Sequence, residues 1–332
     1  MKNREIGKSG IFVPFLGLGT WAIGGGTWWG DNDDRESIRA IQAAADSGIM
    51  WIDTAPMYGF EHSEQVLGEA LKGRRENVIL STKCGLQWEH KTSCYHKTVE
   101  GIDVYRDLSK KEILKAVDRS LMNLKTDYLD VYYTHWQAKD FTVWPIEETM
   151  DALMTLKKQG KIRAIGASNV TTENIEEYCK YGQLDVIQEK YSILTRSIEK
   201  MIPSCKKYGV SIQAYSPLEQ GLLTGKATME TELAPGDVRQ NNIWWRKENR
   251  SKVLRLLEHW KPYCEKYHCS YGNLIIALTA RMMEGIHVLC GARTVKQVDD
   301  NVKSMNVIIE DADRQQMEAE VRQIYPEHQP AQ

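Results

Sequence analysis

Paired cysteines are missing from this sequence. Its seven cysteines, at positions 84, 94, 179, 205, 264, 269 and 290, form an odd and scattered set without any C-x-x-C. That spacing argues against a disulfide framework and offers no ligand set for a metal, so no metal is expected. Long apolar runs are missing as well. No stretch approaches the ~20 residues that cross a bilayer, and the opening MKNREIGKSG has no apolar segment of the signal-peptide kind. The expected location is the cytoplasm, with the thiols reduced. Charge of either sign is not in excess. Forty-three Lys and Arg against 45 Asp and Glu leave a formal net charge of -2, which gives no electrostatic reason for a nucleic acid or an anionic membrane as partner. Phenylalanine is scarce, with four residues against ten tryptophans. Indole joins an apolar body to a polar N–H, so some of these tryptophans are expected to line a site.

What is present is a regular alternation. REIG and IFVPF, flanking Lys8-Ser9-Gly10, read as an N-terminal β-hairpin. PFLGLGT, IMWID, NVILSTK, YLDVYYTH, IRAIGASN, LDVIQ, VSIQAYS and IHVLCGAR read as eight strands. Helical stretches separate them. One is SKKEILKAVDRSLMNL, with Ser109 and Glu112 at capping-box spacing and Ile113, Val117, Leu121 and Leu124 on one stripe. Another is PIEETMDALMTLKKQG, opened by Pro145 and closed by Gly160. Eight β/α units give a parallel sheet covered by helices. Gly24 to Gly26 lack the strand–turn–helix setting of a dinucleotide-binding loop. The expectation is therefore a closed (β/α)8 TIM barrel, a single domain over residues 1–332, rather than an open doubly wound sheet. Two long loops, Gly85 to Leu108 and Leu218 to about Lys247, are expected over its C-terminal face.

In such a barrel the chemistry lies at the C-terminal strand ends. Here the ends read Gly19-Thr20-Trp21, Asp53, Lys83, His135, Ser168-Asn169, Gln188, Tyr215-Ser216 and Gly291-Ala292-Arg293. Asp53 alone would be read as a loop cap and His135 alone as a core histidine. With Lys83 at a matching tip and Tyr58 five residues beyond Asp53, a catalytic set is the better reading. A phenol titrates near ~10. An adjacent ammonium lowers that value, so Lys83, held by Asp53, is expected to tune Tyr58 as a proton donor. His135 would hydrogen-bond and orient a substrate carbonyl. No side chain here can supply hydride, so a nicotinamide cofactor is implied.

The segments around these tips resemble those of the aldo-keto reductases. GIMWIDTAPMYGFEHSEQVLGEAL, STK and THW look like the catalytic segments of that family. GASN, IQEKYS and AYSPLEQGLL resemble its nicotinamide and pyrophosphate segments, and GARTVKQVDDN its adenosine segment. The likeness runs from about Arg4 through Asn301. Within the family, LGTWAIGGGTWWG, YYTHWQA and YSPLEQGLLTG are nearest to a bacterial methylglyoxal reductase-like branch.

The resemblance implies Tyr58 as general acid, Asp53 and Lys83 as its tuning pair and His135 as the orienting group. It implies cofactor contacts from Gly19, Thr20, Trp21 and Asp53. It assigns Ser168, Asn169 and Gln188 to the carboxamide and Tyr215 to stacking on the nicotinamide ring. It places Leu218, Gln220 and Leu222 in the pyrophosphate belt, with Ser216, Pro217 and Gly221 as further cofactor contacts, and Gly291, Arg293, Gln297, Asp300 and Asn301 at the adenosine end. NADP(H) is the expected cofactor, through Arg293, with NAD(H) as the alternative, since Gly291 and Gln297 stand where other branches carry cations. Asp300 stands where the family usually has Glu. Gln297 also completes T-x-x-Q with Thr294, a capping-box pattern. Trp21, Trp28, Trp88, Trp136 and Trp245 are the expected substrate-lining residues, with loop anchoring as the competing role for the Trp28-Trp29 and Trp244-Trp245 pairs. The implied reaction is reduction of a small aldehyde or ketone, an α-oxoaldehyde such as methylglyoxal or a sugar-derived carbonyl. His90, Lys91, His96 and Arg106 in the first long loop suit a hydroxylated substrate. The alternatives are sugar aldehyde or ketone turnover in carbohydrate catabolism and, in another class, a cofactor-sensing regulatory subunit.

Overall fold

The computed structural model describes residues 3–325. Eight parallel strands close into a barrel in sequential order: β1 (Leu16–Gly19), β2 (Trp51–Asp53), β3 (Ile79–Cys84), β4 (Leu129–Thr134), β5 (Ile162–Ser168), β6 (Val186–Lys190), β7 (Ser211–Tyr215) and β8 (Ile286–Gly291). Each pairs with the next, and Gly291 of β8 registers with Gly19 of β1. The strands are short and almost wholly buried on both faces, as expected of a sheet with helices outside and side chains inside. The outer ring is α1 (Asp34–Asp46), α2 (His62–Ala70), α3 (Lys110–Leu124), α4 (Ile146–Lys158), α5 (Thr172–Tyr181), α6 (Ile202–Tyr208), α7 (Tyr271–Thr279) and α8 (Val295–Lys303). Ser109 caps α3 by accepting from the Glu112 amide.

The expected hairpin pairs Arg4 with Val13 and Glu5 with Phe12. Its Ile6, Ile11 and Val13 join Trp51, Val131, Tyr133, Ala164 and Val186 in one buried cluster, so the hairpin closes the floor of the barrel. With the floor sealed, the interior opens only at the C-terminal ends of the strands.

The segment after β3 is more ordered than the sequence reading allowed. Leu86–Gln87, Tyr95–Val99 and Ile102–Arg106 form a three-stranded antiparallel sheet with Ile102–Arg106 in the middle. The last two join through a two-residue turn at Glu100 and Gly101, both at positive φ (52° and 80°), the hairpin turn whose twist matches that of its strands. The segment after β7 is held in short 3-10 turns. Those turns and the helices Lys247–His259, Tyr271–Thr279 and Asp311–Gln323 share a second core that includes Leu222, Trp244, Trp245, Leu257 and Met317. Among the described residues, no helix is long and apolar enough to cross a membrane.

Candidate active site

Neighbouring strands β2, β3 and β4 bring the reactive groups together. Lys83 Nζ donates to Asp53 Oδ2 at 2.6 Å and to the Thr54 carbonyl at 2.8 Å, and Asp53 Oδ1 accepts from Ser81 Oγ at 2.7 Å. Lys83 and Asp53 are fully buried. A buried ion pair of this kind needs further hydrogen bonds to offset its desolvation, and Thr54 and Ser81 supply them here. The Lys83 ammonium lies 5.0 Å from the centre of the Tyr58 ring. The His135 ring meets Tyr58 edge to face at 5.9 Å and 86°.

Two glycines let the loop after β2 place Tyr58. A Cβ on Gly24 would lie 2.6 Å from the Tyr58 carbonyl carbon, and one on Gly59 would lie 2.3 Å from the Gly24 oxygen. The glycine run set aside as a nucleotide loop therefore serves close backbone approach. A third, Gly166, leaves room for the Tyr133 ring inside the barrel, where Tyr133 donates to Gln213 at 3.0 Å.

The electrostatics depart from the sequence expectation at one point. Burial pushes the Tyr58 hydroxyl well above the ordinary phenol value, and the Asp53 charge pushes it further. Burial outweighs the Lys83 ammonium 5.0 Å from the ring centre. In the cofactor-free protein Tyr58 is held as a protonated phenol, the form a proton donor requires. Burial holds the Lys83 ammonium below its usual range, opposed by Asp53. His135 is held well below the usual histidine value, first by burial and then by the charges of Lys83 and Lys97. It is a neutral imidazole with one N–H to offer.

The carboxamide group of residues lies across the mouth, on β5 to β7. Ser168 Oγ donates to the Gln188 carbonyl at 2.7 Å, and Asn169 Nδ2 donates to the His135 carbonyl at 2.8 Å. Tyr215 OH donates to Asn169 Oδ1 at 3.0 Å, which couples the stacking candidate to the catalytic strand. Gln188 is turned into the barrel, its Nε2 donating to Gln213 Oε1 at 2.6 Å. Thr20 and Gly19 line the end of β1, and Thr20 Oγ1 donates to the Asp53 carbonyl at 3.0 Å.

Beyond Tyr215 the backbone turns left-handed at Ser216, Glu219, Gln220 and Gly221 (φ 56°, 46°, 55° and 96°). Pro217 and Leu222 are buried beside it. Sequence reasoning passed over Glu219, which is fully buried. Its carboxylate accepts from Ser192 and Thr195 hydroxyls and from Asn242 Nδ2 at 2.8 Å, with Lys190 Nζ 3.4 Å away. The signal was an acid amid apolar residues. Its role is to tie three loops into one rim. A Cβ added at Gly221 would meet nothing within 4 Å, and one at Gly291 would come no nearer than 3.8 Å to the Gly19 oxygen. This open, backbone-lined rim fits a dinucleotide lying from β5 to β8.

At the adenosine end, Arg293 donates through one guanidinium nitrogen to the carbonyls of Trp29 (3.1 Å) and Asp31 (3.3 Å). Gln297 Oε1 accepts from the Arg293 amide at 2.8 Å, while Thr294 Oγ1 accepts from the Gln297 amide at 3.2 Å. The capping box is therefore half-formed, its return bond shifted back by one residue. Asn301 Nδ2 donates to the Gly291 carbonyl at 3.3 Å, and Asp300 contributes its own carbonyl to Asn273.

The five candidate tryptophans divide. Trp21 lies tilted at 6.3 Å from Tyr58, Trp28 packs edge-on against Trp21 at 5.9 Å, and Trp136 follows His135 and sits 5.2 Å from the His96 ring. These three border the mouth. Trp88 instead packs on Phe60 at 5.0 Å, beneath the antiparallel sheet. Trp245 is buried and donates to the Glu219 carbonyl at 2.9 Å, so it anchors the second loop. Of the polar loop residues, His96 and Arg106 face the mouth, whereas His90 pairs with Asp107 at 3.3 Å at the start of α3.

The model of the Aldo/keto reductase family matches residues 15–321. An NADH-specific methylglyoxal reductase of Escherichia coli is 46% identical over 94% of this chain and 96% of its own. The aldo-keto reductase YhdN of Bacillus subtilis is 36% identical over 85% and 80%. Among solved structures, a glycerol dehydrogenase of Gluconobacter oxydans superposes with TM-score 0.87 at 31% identity, over 100% of this chain and 98% of that one. Barrel, strand-end residues and these likenesses agree: the chain belongs to the aldo-keto reductase family and is an NAD(P)H-dependent carbonyl oxidoreductase.

Proposed function

We propose that the chain acts as one barrel domain that reduces a small aldehyde or ketone to the alcohol, with an α-oxoaldehyde such as methylglyoxal as its first candidate substrate. The observation that carries this reading is the neutral His135 imidazole standing edge-on to a protonated Tyr58 above a buried Lys83–Asp53 pair. The nicotinamide cofactor supplies the hydride when bound. His135 donates a hydrogen bond to the carbonyl oxygen and orients it. Tyr58 passes its phenolic proton to that oxygen as negative charge develops there, a step typically worth about 10²–10⁴ in rate. Lys83 lies beside the ring to stabilise the phenolate left behind. Trp21, Trp28 and Trp136 limit the water around the reacting atoms.

Cofactor choice is a finer matter. The sequence reading favoured NADPH through Arg293. Three observations favour NADH instead. Arg293 is engaged with two loop carbonyls. Positions 291 and 297 carry Gly and Gln, not cations. The Glu36 carboxylate, which accepts from the Val295 amide at 3.4 Å, is itself paired with Arg39, so the two together offer a 2′-phosphate no net positive charge. The similar E. coli protein is named for NADH. The test is a screen of NADH and NADPH oxidation against methylglyoxal, other aldehydes and sugar-derived carbonyls. Turnover of methylglyoxal-sized aldehydes with NADH as the better donor supports the reading. Turnover confined to sugars turns it to the carbohydrate alternative. Slow oxidation with every carbonyl turns it to the cofactor-sensing one.

A further inference from the structure

The antiparallel sheet after β3 contains a β-bulge. Tyr95 registers with Tyr105 and Lys97 with Val104, so His96 is the extra residue. In a regular strand Tyr95 and Thr98 would point to opposite faces. Here Tyr95 OH and Thr98 Oγ1 are 2.7 Å apart, and Thr98 donates to Asp103 at 2.6 Å, all on the solvent side. The bulge therefore turns both His96 and Lys97 to the other face, the one over the barrel mouth. Bulges that re-aim a side chain in this way recur beside active sites.

Lys97 Nζ lies 4.1 Å from the centre of the Trp28 ring, and Trp28 contacts Trp21, which contacts Tyr58. On the central strand Arg106 faces the same way. Its guanidinium lies 5.1 Å from the Trp136 ring centre, and its Nε donates to His96 Nδ1 at 3.3 Å. Burial draws down both cations, and burial with the nearby charge of Arg106 holds His96 neutral, at about 3. Neither Lys97 nor Arg106 meets a carboxylate among the described residues; Arg106 also donates to the Gln137 carbonyl at 2.5 Å, which leaves Lys97 the less committed of the two. Glu100, the acid nearest Lys97 in sequence, is committed to the Thr27 amide and hydroxyl at 2.7 and 2.9 Å, and Asp107, next to Arg106, pairs with His90 and accepts from the Ser109 amide. Half-buried cations without a counter-ion carry a desolvation cost that a bound anion would relieve.

We propose that Lys97, with Arg106 and the His96 ring beside it, forms an anion subsite at the mouth, so that the preferred substrate is a small carbonyl compound that also carries a carboxylate or phosphate. This rests on the reductase reading above and moves its preferred substrate from the neutral methylglyoxal to an anionic carbonyl compound. Lys97 acts here as a specificity residue and takes no part in proton transfer.

The experiment compares kcat/KM for matched pairs, succinic semialdehyde against butanal and glyceraldehyde 3-phosphate against glyceraldehyde, with NADH. In the wild type the anionic member of at least one pair should exceed the neutral one by about tenfold or more, the effect of one charged hydrogen bond. The pair with the larger ratio identifies the anion. Added salt should shrink that ratio. Lys97→Met should bring it towards one, and Lys97→Arg should restore most of it. Ratios near one in the wild type, or a ratio unmoved in Lys97→Met, would overturn the subsite. Should Lys97→Met not fold, the wild-type ratios and their salt dependence decide. If neutral aldehydes turn over as well as anionic ones, only the subsite falls. If all four, and methylglyoxal, are inert, the reductase reading falls with it.

Discussion

The two sides of the barrel mouth are built differently. On the side of β2, β3 and β4, Asp53 and Lys83 are buried and locked by hydrogen bonds of 2.6 to 2.8 Å. On the side of β8, Gly291 and Gln297 are exposed, and Arg293 rests on two loop carbonyls. On the first side, changing Lys83 or Asp53 alone leaves a buried charge unpaired. On the second, Gly291, Arg293 and Gln297 can change without that cost. Under the proposed mechanism, proton transfer belongs to the rigid half and cofactor choice to the adjustable rim.

The sharpest way to break this contrast is Lys83→Met. It strands the Asp53 charge in the interior, and breaking a buried pair in this way typically costs about 3–5 kcal/mol. Denaturant unfolding should show that loss, and reduction should be abolished. Lys83→Met combined with Asp53→Asn should recover much of the stability and none of the activity. A single variant as stable as the wild type would mean that the rigid half is not rigid.

Glu219→Ala is the next step down. It leaves the Ser192, Thr195 and Asn242 donors without their buried acceptor, at about 1–3 kcal/mol. Its expected signature is a raised KM for the cofactor with kcat less affected, since the rim holds cofactor and not the proton. An equal fall in kcat with KM unchanged would place Glu219 in the chemistry.

Acid should act through the histidines. His287, buried against Trp51 at 5.2 Å, is held down at about 4, and His135 lies well below the ordinary value. Both are neutral when folded and take up a proton when unfolded below about pH 6.5. Their contribution to stability is therefore full above that pH and is lost as pH drops from 6.5 towards 4, by up to ~1.4 kcal/mol per pH unit for each histidine. Urea midpoints across this window check it, and His287→Phe should flatten the slope.

The smallest effect belongs to the exposed rim. Arg293→Ala should change the NADH to NADPH ratio of kcat/KM by about tenfold or less, and Glu36→Gln should raise NADPH efficiency by a few-fold.

The rigid half was also the legible half. Asp53, Lys83 and His135 stand out in the sequence because a charged or polar tip on an apolar strand is costly to bury unless a partner or a ligand offsets the lost hydration. The strands and helices followed from periodicity for a related reason: their burial writes the pattern. The sheet after β3 was missed because its strands are short and solvated on one side, although Glu100-Gly101 between YHKTV and IDVYR is a hairpin signal. Trp88 and Trp245 read as lining because residue type does not reveal which way a loop folds. The direction of the Tyr58 shift was misjudged for a different reason. The first cause is burial of the Tyr58 hydroxyl, and how deep a loop residue lies is not spelled out by sequence.

The central claim, that Tyr58 donates the proton, is tested most directly by Tyr58→Phe. Single-turnover oxidation of bound NADH by methylglyoxal, with the cofactor Kd measured on the same samples, separates chemistry from binding. The account expects an unchanged Kd, within about twofold, and a hydride-transfer rate lower by about 10²–10⁴. A variant that keeps more than a tenth of the wild-type rate, or that loses rate only by losing cofactor, would contradict it.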